Sequence, residues 1–458
     1  MSSSATKKKT KIINNIITVL VGSLLMGMLW RIRGTHGWGS VFGMLNAGYV
    51  FSLFIIAYLG GRRKLGLGWL FITSVSLMVT TPEWGSIIHQ ICGVLDGSTY
   101  DENIYVSLFS AIVLLLCLGF GMAVFFGIML GRAYSDKQWK LKDFVVILAI
   151  YFAVNILSRV SVSLIILNLI QPEAQSLFKD GLYEIGNQDP GWKVYLQHCI
   201  GGFGLKDITG GRNYFASVKA ISSALSAVAA IFATRHIVKD NRAANVGVVT
   251  CFAFAFAVIA ADLFLFFGSG GWHYSQGFVL PDNIAPWPMW EYATGFIAGG
   301  IITAVMINLK NKTDVDDPFV LGVSPEVKET LTFIFGYCVL VGVNVVRPVF
   351  QRYDNSIYQI LHTVAASLIA VAIIIVTVSI CGVSAQKVNM KFYASFMIIV
   401  SVSYLTIVYI FVGDAEYSCY LSMGYIHNTL VAISSAVVIV WGIINFIGAY
   451  KTRHKLGS

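Results

Sequence analysis

Twelve apolar stretches of spanning length follow one another along this chain, separated by polar connections of very unequal character. They lie at roughly 12–30, 40–60, 66–81, 104–131, 142–170, 214–234, 245–268, 289–309, 329–347, 356–381, 391–413 and 424–449. About 20 consecutive apolar residues cross the hydrocarbon core of a bilayer as one helix. A backbone in lipid must satisfy its own hydrogen bonds, which leaves helices or closed barrels. Runs this long exclude the short alternating strands of a barrel. The chain is 56% hydrophobic and only 12% charged, against about 25% charged in a soluble domain. The expected fold is an all-α polytopic membrane protein of about twelve transmembrane helices, forming a single integral membrane domain over residues 1–458.

Charge orients such a bundle. With twelve spans both termini share one face. Lys7–Lys9 with Lys11, Arg62-Arg63-Lys64, Arg132 to Lys142, Arg235 to Arg242, Lys310 with Lys312, Lys328, Lys387 with Lys391, and Lys451 to Lys455 all fall there. Together they hold 22 of the 32 lysines and arginines. Cytoplasmic loops carry such an excess, so the expectation is an integral plasma-membrane protein with both termini cytoplasmic. The net charge of +9 then reflects topology and contact with membrane lipids, not a nucleic-acid partner. Arg31 and Arg33, not a small-residue cleavage site, follow the first apolar run, which reads as an uncleaved anchor.

The opposite face carries the irregular sequence. It begins with Trp30–Ser40 (WRIRGTHGWGS) and continues through 82–103, the longest loop at 171–213, then 269–291, 347–355 and 413–425. Six of the eight histidines (36, 89, 198, 273, 362 and 427) lie on or near it. Glycine-rich pieces such as Gly201-Gly202-Phe203-Gly204 permit sharp turns. Irregular backbone at membrane depth persists where protein or a watery cavity surrounds it. Re-entrant extracytoplasmic loops flooring an outward-facing cavity are therefore expected.

Arg31, Arg33, Arg212, Arg347 and Arg352 sit at or just beyond the outer ends of spans, against the positive-inside rule. A guanidinium fork suits carboxylate, phosphate or sulfate, so these arginines, with Asp354, are candidates for binding an anionic solute. The alternative is that they pair with Glu83, Glu291, Asp354, Asp414 or Glu416, or bind lipid phosphate. Trp84, Trp272 and Trp290 beside Glu83 and Glu291 offer stacking faces and acceptors for a sugar ring, although interfacial tryptophans also arise as membrane girdles. His36 or His273 beside Glu83 or Glu291 would serve general acid–base chemistry. Within the spans, Arg159 and Asp262 are each costly alone. The economical expectation is that they pair, as a structural or an ion-coupling element.

No two histidines stand three or four residues apart, and the seven cysteines contain no CxxC. No metal or other cofactor is expected. Phosphate-loop, GxSxG and HExxH motifs are missing too, so any catalysis would be built from span ends and outer loops. Two functions remain. The first is a transporter for a small polar solute, anionic or saccharide-bearing, bound in an extracytoplasmic-facing cavity. The second is a membrane-embedded transferase or hydrolase acting on a glycan or lipid-linked substrate at the outer leaflet. Span count favours the first; the gathering of His, Glu, Arg and Trp on one face favours the second.

Overall fold

The computed structural model describes residues 2–34, 41–59, 67–79, 108–137, 139–165, 212–268, 280–310, 390–411 and 425–455. Every regular element among them is helical. In chain order these are α1 (Ser2–Gly34), α2 (Val41–Leu59), α3 (Leu67–Val79), α4 (Leu108–Gly121), α5 (Val124–Arg132), α6 (Leu141–Ile165), α7 (Arg212–Phe232), α8 (Asn241–Gly268), α9 (Pro286–Lys310), α10 (Met390–Phe411) and α11 (Ile426–Lys455). Six of them, α1, α6, α7, α8, α9 and α11, are long and apolar enough to cross a membrane. Helices α2 and α10 contain shorter apolar segments, Gly43–Tyr58 and Lys391–Ile407. Large apolar side chains such as Phe252, Phe256 and Leu263 of α8 and Leu225, Val228 and Phe232 of α7 are exposed, as lipid-facing surfaces are. The apolar runs at 329–347 and 356–381 and most of the irregular stretches lie outside the described residues, but Trp30–Gly34 and Pro286–Glu291, read as parts of outer loops, are helical, continuing α1 and opening α9.

One apolar run departs from its expectation. Residues 104–131 read as one continuous span, but α4 and α5 meet at a bend of 41°. The break follows the glycines. A Cβ on Gly121 would lie 2.3 Å from Ser223 Oγ, and one on Gly119 would lie 2.5 Å from the Ala255 Cα. Packing that close leaves the chain to turn at Met122, whose N–H donates to the Gly119 carbonyl at 3.2 Å.

The chain forms two compact units. The first comprises Met1–Val79, Met129–Trp139 and Asn283–Ser458. Its organising contact is α1 against α9. Small residues let the two backbones touch. A Cβ on Gly295 would fall 2.4 Å from the Met26 carbonyl oxygen, and one on Gly299 would fall 2.4 Å from Met26 Cβ. On the other helix, a Cβ on Gly22 would overlap Thr303. Such small-residue spacing is how membrane helices gain dispersion contact where the hydrophobic effect no longer drives association. Helices α2 and α11 also pack on α1, and α10 packs on both of those. Two side chains tie the 129–139 segment into this unit. Trp69 Nε1–H donates to the Met129 carbonyl at 2.9 Å, and the Tyr134 hydroxyl donates to the Met306 carbonyl at 3.1 Å.

The second unit comprises Thr80–Ile128 and Lys140–Asp282. Here α7 packs on α6 and α4, and α8 packs on α4. Asn155 Nδ2–H donates to Ser226 Oγ at 3.1 Å across the α6–α7 seam. Helix α7 widens into one π turn at Ala233–Ile237 before the chain reverses into α8. Lys239 takes the left-handed conformation (φ 61°) that this reversal demands. Asp240 then caps α8, its Oδ1 accepting from the Ala243 N–H at 2.9 Å, as an N-cap aspartate does.

Candidate functional site

Four helix ends meet in the first unit: the last turn of α1, the second turn of α9, the end of α10 and the first turn of α11. Each end brings a polar side chain. The last turn of α1 holds Arg31 and Arg33, where the carbonyl end of the helix favours cations. Helix α9 starts at Pro286, a residue suited to a first helical position, and its second turn presents Glu291. Helix α10 contributes Tyr409, and α11 contributes His427 and Asn428. The start of α11 is held beside that of α9 by a bond from the Ile426 N–H to the Asn283 carbonyl at 3.0 Å.

Four of these groups, Glu291, Arg31, Tyr409 and Asn428, form one chain of hydrogen bonds. Arg31 Nη1–H donates to Glu291 Oε2 at 2.5 Å, an ion pair with both side chains at or below 5% exposure. Arg31 Nε–H donates to the Tyr409 hydroxyl at 3.3 Å. The phenol spends its own proton on Asn428 Oδ1 at 2.6 Å. A guanidinium only donates, so the hydroxyl accepts from Arg31 while giving its own proton to the Asn428 amide oxygen, which faces it. The Arg31 guanidinium also lies 5.7 Å from the centre of the Tyr409 ring. Arg33 is buried with its guanidinium over the Trp30 ring, 4.6 Å from the centroid. It is attracted by Glu291 and repelled by Arg31.

Two donors in this network have no acceptor among the described residues: Arg31 Nη2 and Asn428 Nδ2. Both residues are more than nine-tenths buried. Each orphan is attached one atom away from a group already bonded to Tyr409, so the two belong to one locus. Nearby hydroxyl pairs brace the helices around it. Tyr292 Oη and Ser434 Oγ are 2.7 Å apart between α9 and α11, and Thr406 and Ser435 hydroxyls are 2.6 Å apart between α10 and α11. Buried N–H groups lacking partners are uncommon in folded proteins.

Of the residues singled out from the sequence, Arg31, Arg33 and Glu291 come together here, and Trp290 precedes Glu291 on α9. Trp290 is buried and its ring stacks on Trp287 at 5.5 Å between centroids. For Arg31 the structure realises the ion pair with Glu291. Arg212 is the first residue of α7, in the second unit. His36, Glu83, Trp84, Trp272, His273, Arg347, Arg352 and Asp354 lie outside the described residues.

The expected pairing of Arg159 with Asp262 does not form. Asp262 Oδ1 has no hydrogen-bond partner among the described residues. Arg159 rides on α6, which packs chiefly on α7, whereas Asp262 rides on α8, which packs chiefly on α4 and also on α7. Among the described residues no group of three or more His, Cys, Asp and Glu is placed to hold a metal ion.

Sequence reasoning missed Tyr409 and Asn428. Neither carries a charge, and neither belongs to a motif. The usable signal was position: Asn428 follows His427 at the start of the last apolar run, and Tyr409 lies near the end of the preceding one. No family model, curated protein or solved structure matches this chain.

Proposed function

We propose that this chain is a multi-pass transporter that binds a small polar solute, anionic or saccharide-bearing, at the Arg31–Glu291–Tyr409–Asn428 locus. The observation that carries the reading is the pair of buried donors, Arg31 Nη2 and Asn428 Nδ2, with no acceptor among the described residues. A guanidinium edge beside a carboxamide is suited to carboxylate, phosphate, sulfate or sugar oxygens. Twelve spans with both termini in the cytoplasm, in the plasma membrane, would put this end of α1 on the extracytoplasmic side. A solute would then reach the locus from outside. Lipids are the other partners of such a chain.

The enzyme alternative, a transferase or hydrolase on a glycan or lipid-linked substrate, drew on His36, Glu83, His273 and Glu291. Glu291 is engaged with Arg31, which suits a charge-balancing role better than proton transfer. The test is uptake by proteoliposomes of a panel of labelled monocarboxylates, phosphate, sulfate and neutral monosaccharides. Asn428→Asp serves as the diagnostic variant. It keeps an oxygen toward Tyr409 and turns the orphan donor into an acceptor. Saturable uptake in the wild type and at least about a tenfold weaker apparent affinity in Asn428→Asp, equivalent to about 1.4 kcal/mol, is the expected result. No saturable uptake of any probe, or a labelled glycan converted to product in the membrane, would overturn the transporter reading.

A further inference from the structure

We propose that the end of the first unit where α1 begins and α11 ends is a binding surface for the headgroup of an anionic phospholipid. Packing brings these two helix ends to one level. The Ser435 hydroxyl of α11 meets Met28 Sδ of α1 at 3.8 Å. Asn428, at the start of α11, joins Arg31, at the end of α1, through Tyr409. The two helices are therefore antiparallel. At 1.5 Å per residue, Lys451 lies about 24 Å beyond Ser435 and Lys11 about 26 Å from Met28, in the same direction. Helix α10 starts there too. The Phe392 ring is 6.3 Å from that of Tyr450, which places Lys391 at this level as well.

On each of α1 and α11 an outward apolar strip runs into a lysine. Ile12, Ile13, Ile16, Ile17 and Leu20 of α1 are exposed. They recur at helical intervals on one face, and Lys9 continues that face one turn nearer the start. Thr18, on the other side of the helix, is buried. Val440, Ile444 and Ile447 of α11 are exposed as well, and steps of four, three and four carry their face on to Lys451. Lys8, Lys9, Lys11 and Lys451 are themselves exposed. Neither helix contains an aspartate or glutamate, so no carboxylate on the same element offsets these charges. Other elements of the unit do carry acids, Asp136 after α5 and Asp314, Asp316 and Asp317 after Lys310. Exposed isoleucines suit acyl chains, and ammonium groups at the end of such strips suit the phosphate of a headgroup. A dissolved polyanion would leave both strips unused. The surface therefore fits a lipid of the adjoining leaflet, whatever the Arg31 locus carries.

The experiment titrates full-length protein in non-ionic detergent with dioleoyl phosphatidylglycerol or with dioleoyl phosphatidylcholine. Native mass spectrometry counts bound lipid, and thermal unfolding reads the stabilisation. Each lysine near a membrane surface strengthens attraction to anionic lipid about fivefold. The expected result is saturable binding of phosphatidylglycerol at least about tenfold tighter than phosphatidylcholine. The combined variant Lys8→Gln, Lys9→Gln, Lys11→Gln should lose most of that preference, and Lys451→Gln about fivefold of it. Lys140→Gln with Lys142→Gln, exposed lysines at the start of α6 in the second unit, should keep it. Inorganic phosphate and the free headgroup, glycerophosphoglycerol, should not displace the lipid at equal concentration. No preference for phosphatidylglycerol in the wild type, as when the protein's own carboxylates already neutralise these lysines, would overturn the proposal. So would equal losses in the α1 and α6 variants, which reduce the effect to overall charge, or displacement by phosphate alone, which makes the ligand a dissolved anion. The comparison of lipids on the wild type needs no variant and decides the question if a substituted protein fails to fold.

Discussion

Neutralising Glu291 while keeping its shape, as in Glu291→Gln, is the sharpest probe of the buried ion pair. The variant retains an oxygen facing Arg31 Nη1, so the loss reports charge and not packing. With charge centres about 4 Å apart and an effective dielectric constant near 20, the attraction is worth about 4 kcal/mol. Removing one partner of a buried pair costs roughly 3–5 kcal/mol because the other stays buried and uncompensated. The surroundings add an asymmetry. Without Glu291, Arg31 and Arg33 face each other with their mutual repulsion unrelieved. Without Arg31, Glu291 still has Arg33 to attract it. Glu291→Gln is therefore expected to cost about 4 kcal/mol and Arg31→Met about 3 kcal/mol. The double variant should be more stable than the sum of the two losses predicts, with a coupling of about 2 kcal/mol or more. Reversible unfolding of the full-length protein in mixed micelles by added dodecyl sulfate, followed by helical circular dichroism, measures all four corners of the cycle. Additive losses, or an Arg31→Met variant weaker than Glu291→Gln, would refute the reasoning.

Two further expectations concern the first unit. Gly295→Ala places a methyl 2.4 Å from the Met26 carbonyl oxygen and 2.5 Å from Trp30 Cβ, where backbone cannot yield, whereas Gly448→Ala meets nothing within 4 Å. The first should destabilise by about 1–3 kcal/mol and the second should stabilise by up to about 1 kcal/mol through helix propensity; equal melting temperatures for the two variants would contradict the close α1–α9 crossing. Tyr409→Phe deletes the hydroxyl that joins Arg31 to Asn428 and leaves Nε and Oδ1 without partners, a loss of about 1–3 kcal/mol in the same micelle titration.

Much of the architecture is legible in the sequence because lipid imposes so simple a rule on it. The run at 245–268 corresponds to α8 at Asn241–Gly268, and that at 289–309 to α9 at Pro286–Lys310. The bend between α4 and α5 is harder to read. It depends on what Gly119 and Gly121 touch, and those contacts come from Ala255 and Ser223, more than a hundred residues away. The same divide runs through the candidate site. Arg31, Arg33 and Glu291 stand out because charge at a span end is expensive, and their pairing was among the alternatives. Tyr409 and Asn428 carry no such cost. Arg159 and Asp262 show the limit from the other side. Economy suggests that two opposite charges in apolar runs should meet, but only the packing decides it, and α6 lies chiefly on α7 whereas α8 lies chiefly on α4.

The Arg31–Glu291 contact joins residues 260 positions apart in the chain. Ribosomes extend a chain by about 5–20 residues per second, so Arg31 is made roughly 13–50 seconds before its carboxylate exists. During that interval α1 carries two cations on its last turn and exposes glycines shaped for a helix not yet synthesised. The finished position of α1 is therefore a late event in biogenesis, completed only after α9, α10 and α11 have all arrived. A nascent chain stopped before Glu291 would present an N-terminal helix whose Arg31 still lacks its counterion.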